Sequence, residues 1–154
     1  MANDFDFISA TDKPALLAFS TPEWLEAAKA ALNELGYKVH TAATHSDFLL
    51  RFSQIQYQVV IVEELFAANT LAENSTLQAL QNMPMSQRRH STVILFGTSF
   101  QTFTPMQAFQ QSVNAVLNAS ELFLIKQLIE KAVTDNNFFL HSFREAQAGI
   151  HSAK

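Results

Sequence analysis

Tyr57-Gln-Val-Val-Ile-Val-Glu63 constrains the fold more than any other stretch of the chain. Four consecutive apolar residues, three Val and one Ile, are all β-branched and read as a strand buried on both faces. Such a strand belongs in the middle of a parallel sheet with helices on either side. Glu63 and Glu64 close the run, at the carboxyl end where sheets of this kind gather their functional groups.

Strand-like and helix-like segments alternate around that run. Pro14–Phe19 is a short apolar strand, and Ser20-Thr-Pro-Glu23 supplies a helix start. Trp24, Leu25, Ala28, Leu32 and Leu35 then recur at helical spacing, and Gly36 ends the helix as a left-handed cap. A weaker strand is expected over Val39–Thr44. Ser46-Asp47 opens a helix in which Phe48, Phe52 and Ile55 share a face. Asn74 or Ser75 caps a short helix carrying Leu77 and Leu80, which Pro84 stops.

Thr92–Phe96 is a second fully apolar strand, ended by Gly97-Thr98-Ser99. Thr104-Pro105 begins a helix with Met106, Phe109 and Val113 on one side, and Ala115–Leu117 is the fifth strand. Ser120 caps the last helix, with Leu122, Ile125, Ile129 and Ala132 or Val133 inward. Five strand–helix units imply a doubly wound, five-stranded parallel sheet in a three-layer α/β sandwich. The expected boundaries are an N-terminal arm over 1–13, one domain over 14–134 and a short C-terminal helical extension over 135–154. In the arm, Phe5 and Phe7 alternate with Asp4 and Asp6, fitting an edge strand or a groove-covering segment. In the extension, Phe138, Phe139, Leu140 and Phe143 precede a short amphipathic stretch, which either folds back on the domain or offers Phe to a partner.

The composition narrows the chemistry. The chain has 154 residues, enough for one domain with a full core. It has no cysteine, which excludes disulfides, thiol catalysis and Cys-based zinc sites. A formal charge of -4 with ten Lys and Arg argues against nucleic acid as a partner, and Arg88-Arg89-His90, the only basic cluster, reads as a solvated loop. There is no apolar run of membrane-spanning length, and the acidic N-terminus is unlike a secretion signal, so a cytoplasmic location is expected. His40 and His45, five apart, have poor zinc spacing, and no metal or cofactor is expected. Three glycines cannot build a phosphate-cradling loop, and no nucleophile elbow occurs.

From about Pro14 to Val133 the order of strands, helices and punctuation resembles the receiver domain of two-component response regulators, a flavodoxin-like fold. Leu77-Gln-Ala-Leu80, Pro84 and Thr92-Val-Ile-Leu-Phe96 match its third helix, proline-bearing loop and fourth strand. The resemblance implies an acidic pair after the first strand to hold Mg²⁺, a phospho-accepting Asp after the third, a Thr or Ser after the fourth and a Lys after the fifth. Mg²⁺ wants carboxylate oxygens, and the Lys neutralises charge on the phosphoryl group. This chain has Ser20 and Thr21 at the acidic pair, Glu63 at the acceptor, Gly97 or Thr98 at the hydroxyl and Asn118 at the Lys. Metal-assisted aspartyl phosphorylation is therefore not expected. Glu63 either imitates the phosphorylated acceptor, through a hydrogen bond to Thr98, or is a solvated residue at a strand end. Ser20 and Thr21 are helix caps or the edge of an anion site at that helix N-terminus.

The resulting expectation is a degenerate receiver: a phosphorylation-independent, non-enzymatic adapter or regulatory subunit with a protein partner. No output segment follows Val133, which favours an adapter over a transcription factor. The resemblance places its contact surface on the fourth helix, fifth strand and fifth helix. Met106, Gln107, Gln110, Gln111, Phe123, Leu124 and Leu128 would supply that surface, and a homodimer through it is expected. The alternative is a small-molecule sensor or enzyme whose crevice is lined by Ser20, Thr21, Glu63, Thr98 and Asn118.

Overall fold

The computed structural model describes Ile8, Ser9 and residues 11–152. The arm's Phe5 and Phe7 with Asp4 and Asp6, and the side chain of Phe143, lie outside the described residues. Five strands form one sheet: β1 (Lys13–Ala18), β2 (Tyr37–Ala42), β3 (Val59–Glu63), β4 (Thr92–Gly97) and β5 (Ala115–Asn118). Their order is β2-β1-β3-β4-β5, and every pairing is parallel. β3 is the central strand, with Ile61 opposite Leu17 of β1 and Ile94 of β4.

The sheet buries both faces because successive side chains alternate across it. Ala15, Leu17, Val59, Ile61, Ile94 and Phe96 face one core, closed by α1 (Pro22–Glu34) and α6 (Ile125–Ser152). Leu16, Ala18, Val60, Val62, Val93 and Leu95 face the other. That side is covered by α2 (His45–Gln54), α3 (Ser75–Asn82) and α5 (Pro105–Gln110), with the single turn α4 (Met85–Arg88) leading into β4. The doubly wound three-layer sandwich expected from the sequence is thus the observed architecture.

Several local expectations shift. β2 begins at Tyr37, directly after Gly36 at φ 87°, because Tyr37 pairs with Lys13, whose ammonium lies 4.3 Å from its ring centre. α2 starts at His45 with Thr44 as its cap, the hydroxyl accepting from Asp47 N at 3.1 Å. The last helix is not capped by Ser120. A 3₁₀ segment over Ala119–Leu124 intervenes, opened by Asn118 Oδ1 accepting from Ser120 N at 2.8 Å. Met106 and Phe109 do not share a face with Val113: α5 stops at Gln110, Ser112 turns to φ 55°, and Val113 packs on the second core.

Arg88 does not lie in a solvated loop. It is buried, donating from Nη1 to Leu80 O at 2.8 Å and from Nη2 to Ser112 O at 2.6 Å. Burial pulls its pKa below the ordinary guanidinium value, yet an Arg stays charged in any protein setting. The side chain therefore staples the end of α3 to the turn before β5. Replacing it with Met keeps the stem but removes the donor to Ser112 O and leaves Leu80 O with only the longer bond from Met83 N at 3.3 Å. Arg88→Met should lose about 2 kcal/mol or more of stability in urea denaturation, and a loss below about 0.5 kcal/mol would show the staple to be idle.

The extension beyond Asp135 is not a separate helix folded back on the domain. α6 runs through it without a break to Ser152. Among the described residues, no helix is long and apolar enough to cross a membrane.

Candidate functional site

The crevice at the carboxyl ends of the strands is where β1, β3 and β4 hand over to their loops. Strand alternation decides what enters it. Glu63 follows Val59 and Ile61 on the α1 side of the sheet, and Glu64 follows Val60 and Val62 on the opposite side. Glu64 N extends the ladder by donating to Phe96 O at 2.8 Å, so that alternation persists past the strand's end.

The two carboxylates consequently diverge. Glu63 Oε1 accepts from Ser20 N at 3.2 Å and from Thr21 N at 3.0 Å, in the turn that begins α1. The positive end of that helix dipole favours an anion there. Glu64 Oε1 accepts from Thr98 N at 3.1 Å and Ser99 N at 3.3 Å, in the loop after β4. Both are buried, at 4% and 7% exposure. Each buried carboxylate is thus met by two backbone donors, the arrangement that makes such burial tolerable.

Neither reading of Glu63 holds as stated. It is not solvated, and it does not reach Thr98, because alternation turns it toward α1 while Glu64 takes the Thr98 N–H. The anion position before α1 exists, and the protein's own Glu63 fills it. Thr21 is the cap residue of α1 by position, with Pro22 next, but its side chain makes no capping bond. The hydroxyl of Ser20 instead accepts from Ala67 N at 2.7 Å, holding the loop after β3 where Ala67 adopts φ 47°.

Asn118 does not point a donor at the carboxylates. Its side-chain amide donates to Phe100 O at 2.6 Å and, more weakly, to Thr98 O at 3.5 Å, while its oxygen starts the following 3₁₀ turn. It ties the loop after β4 to the end of β5. Ser20, Thr21, Glu63, Thr98 and Asn118 therefore do line one region, yet Thr98 is tied in through Glu64, which the sequence places beside Glu63 but outside the expected crevice lining.

The sequence marks Asn74 only as a cap. It is that, accepting from Leu77 N at 3.1 Å, but its buried amide also donates to Glu63 O and Glu64 O at 3.0 and 3.1 Å. His45 braces the same loop. Its Nδ1 accepts from Thr76 N at 3.1 Å, which leaves Nε2 to carry the proton toward Ala67 O at 3.2 Å. His40 engages Tyr57 Oη at 2.7 Å, so the two histidines serve different neighbours. Among the described residues no cluster of His, Asp and Glu is placed to hold a metal.

The surface residues expected at the interface separate into two groups. Met106 and Phe123 are exposed, Phe123 at 80%, and Phe109, about one turn from Met106 on α5, is exposed at 81%. Gln110 is exposed as well. Leu124 and Leu128 are half-buried, and Leu128 packs against the first core. The expected exposed Leu124–Leu128 patch does not form. Leu124 belongs to the 3₁₀ segment, where 100° per residue does not apply, and α6 begins only at Ile125.

No family model and no curated protein matches the sequence. Solved structures do match. The chemotaxis response regulator CheY4 of Vibrio cholerae superposes with a TM-score of 0.62 at 16% identity, over 82% of this chain and 99% of that one. The fold is that of a response-regulator receiver. A response regulator from Thermotoga maritima gives a TM-score of 0.60 at 11% identity, over 80% and 98% of the two chains. A third chain, in which a trimeric coiled-coil segment of yeast Spc42 is fused to another structure, gives 0.60 at 15% identity over 95% and 93%.

The Mg²⁺ that the resemblance implies does not fit the residues at this position. Ser20 and Thr21 offer no carboxylate, and the one from Glu63 is already taken by two N–H groups.

Proposed function

We propose that this chain is a degenerate receiver, a signalling adapter or regulatory subunit that works by protein–protein contact and without phosphorylation. One observation carries the reading. Glu63 and Glu64 accept the backbone N–H groups of the loops on both sides of the crevice, so its anion-binding donors are permanently occupied. The loop after β4 is held as a bound anion would hold it, by a group that never leaves. The same bonds oppose a small-molecule sensor or enzyme using this crevice, since a ligand would have to displace two buried carboxylates.

The contact surface is the face of α5 and the 3₁₀ segment before α6, where Met106, Phe109, Gln110 and Phe123 are exposed. Bare aromatic residues on the two elements that flank β5 in the chain suit a partner protein.

The test is exposure to acetyl phosphate with Mg²⁺, followed by intact-mass measurement. No added phosphoryl group is expected on the protein. Stable labelling that disappears in Glu63→Ala would overturn the phosphorylation-independent reading.

A further inference from the structure

A turn before β1 fixes where the N-terminal arm leaves the domain. Ser9 N donates to Asp12 Oδ2 at 2.8 Å, and Asp12 N donates to Ser9 O at 3.1 Å. Lys13 lies on the first-core side, its ammonium 4.3 Å from the centre of the Tyr37 ring, so alternation turns Asp12 to the other side. Lys38, next to Tyr37, points there too, and its Nζ lies 3.9 Å from Asp12 Oδ2. Ser9 is thereby drawn to the face of the sheet that α2 covers, and Ile8 before it is half-buried.

On that same face a groove of about 460 Å³ opens between α2 and α4. Gln56, just before β3, places it at the amino ends of the strands. Leu49, Phe52, Ile55 and Met83 give it an apolar wall. Phe52, Ile55 and Met83 also pack against the second core, and Phe52 stacks on Phe48 at 5.8 Å. His90 lines the rim, and among the described residues no acidic side chain does.

We propose that the arm lies in this groove of its own chain, with Phe5 and Phe7 against the wall of Phe52, Ile55 and Met83. Reach supports it. Four residues separate Ser9 from Phe5, about 14 Å of extended chain. The obstacle is α2, which packs on β1 and β2 and is roughly 10 Å across. Gln58 N donates to Pro14 O at 2.9 Å, so the connection that borders the groove runs beside the start of β1.

The pattern of the arm matches the groove. In extended chain Phe5 and Phe7 project to one side and Asp4 and Asp6 to the other. The Phe pair suits the apolar wall, and the two carboxylates meet a rim that holds His90, followed by Arg89 in the same segment, and no acid. A tether this short gives an effective concentration on the order of millimolar, which favours the chain's own groove over that of a second copy. The groove lies at the opposite end of the strands from the crevice, so the inference is independent of the function proposed above.

The methionines make a selective test, because Met83 lines the groove and Met106 lies on α5. In a methyl spectrum of the full chain with isotope-labelled methionine, replacing both Phe5→Ser and Phe7→Ser should shift the Met83 signal, since two aromatic ring currents leave its surroundings. Met106 should stay in place. Leu49→Glu, at a position already 38% exposed, sets a carboxylate against the acidic arm. Chymotryptic cutting after Phe7, which tracks the undocked fraction, should then be several-fold faster than in the parent. A Met83 signal unmoved by the double variant, or equal cutting in the parent and Leu49→Glu, would overturn the proposal. Movement of Met106 instead would put the arm on α5, and a Met83 shift that fades on dilution would give the groove to the arm of another copy. Either result also overturns it.

Discussion

An Ile61→Asp protein should fail to fold. Ile61 is fully buried at the midpoint of the central strand, with Leu17 and Ile94 as its register partners. The first core closes over it with apolar side chains. Removing the side chain forfeits about 2–5 kcal/mol of packing, and a buried unpaired carboxylate adds several more. A domain of this size has only about 5–15 kcal/mol in total. Far-ultraviolet circular dichroism should show no cooperative melting. Ile61→Val, which removes one methylene, should cost only about 0.5–1.5 kcal/mol and keep the transition. A soluble, cooperatively melting Ile61→Asp protein would mean that β3 is not the sheet's centre.

That residue was legible from sequence because β3 and β4 are buried on both faces and so appear as unbroken apolar runs. Where burial is one-sided or an element is short, the signal weakens. β2 alternates, and its start was set by the Tyr37–Lys13 pairing, a tertiary contact that the sequence does not display. α5 is less than two turns long, so helical periodicity tied Met106 and Phe109 to a Val113 that lies outside it. The Asn118 turn hid the true start of α6 in the same way, which misplaced Leu124.

The site followed a similar division. Glu63 was found by position, but its direction was misjudged, although period-two alternation from Val59 and Ile61 already pointed it at α1. The same count would have sent Glu64 toward Thr98. What no count of residues reveals is that Asn74 and Ser20 fasten the loop after β3, since the Asn74 bonds depend on how that loop closes and Ser20 reaches Ala67 from 47 residues away.

Gly97 is where this crevice can be broken with a single methyl group. A side chain there would place its Cβ 2.3 Å from Glu64 Oε1 and 2.6 Å from Glu64 Cβ. The receiver resemblance puts a hydroxyl residue at this point or the next, so the missing side chain is the space that Glu64 occupies. Rotating the carboxylate away would not suffice, because Glu64 Cβ is fixed by a backbone that is itself bonded to Phe96 O. Gly97→Ala should therefore both strain the β3–β4 ladder and release the Thr98 and Ser99 N–H groups. Overpacking of this kind costs about 1–3 kcal/mol, and each charge-assisted bond lost about 1.5–3 kcal/mol. A loss of about 3 kcal/mol or more is expected in urea denaturation. The cause can be separated by a double-variant cycle. Glu64→Gly removes the atom in the way, so it should cost much less in the Gly97→Ala background than in the parent. Glu64→Ala, which keeps the Cβ, should give a weaker rescue. If Gly97→Ala melts within about 0.5 kcal/mol of the parent, Glu64 is not wedged into this site, and the self-filled crevice loses its physical basis.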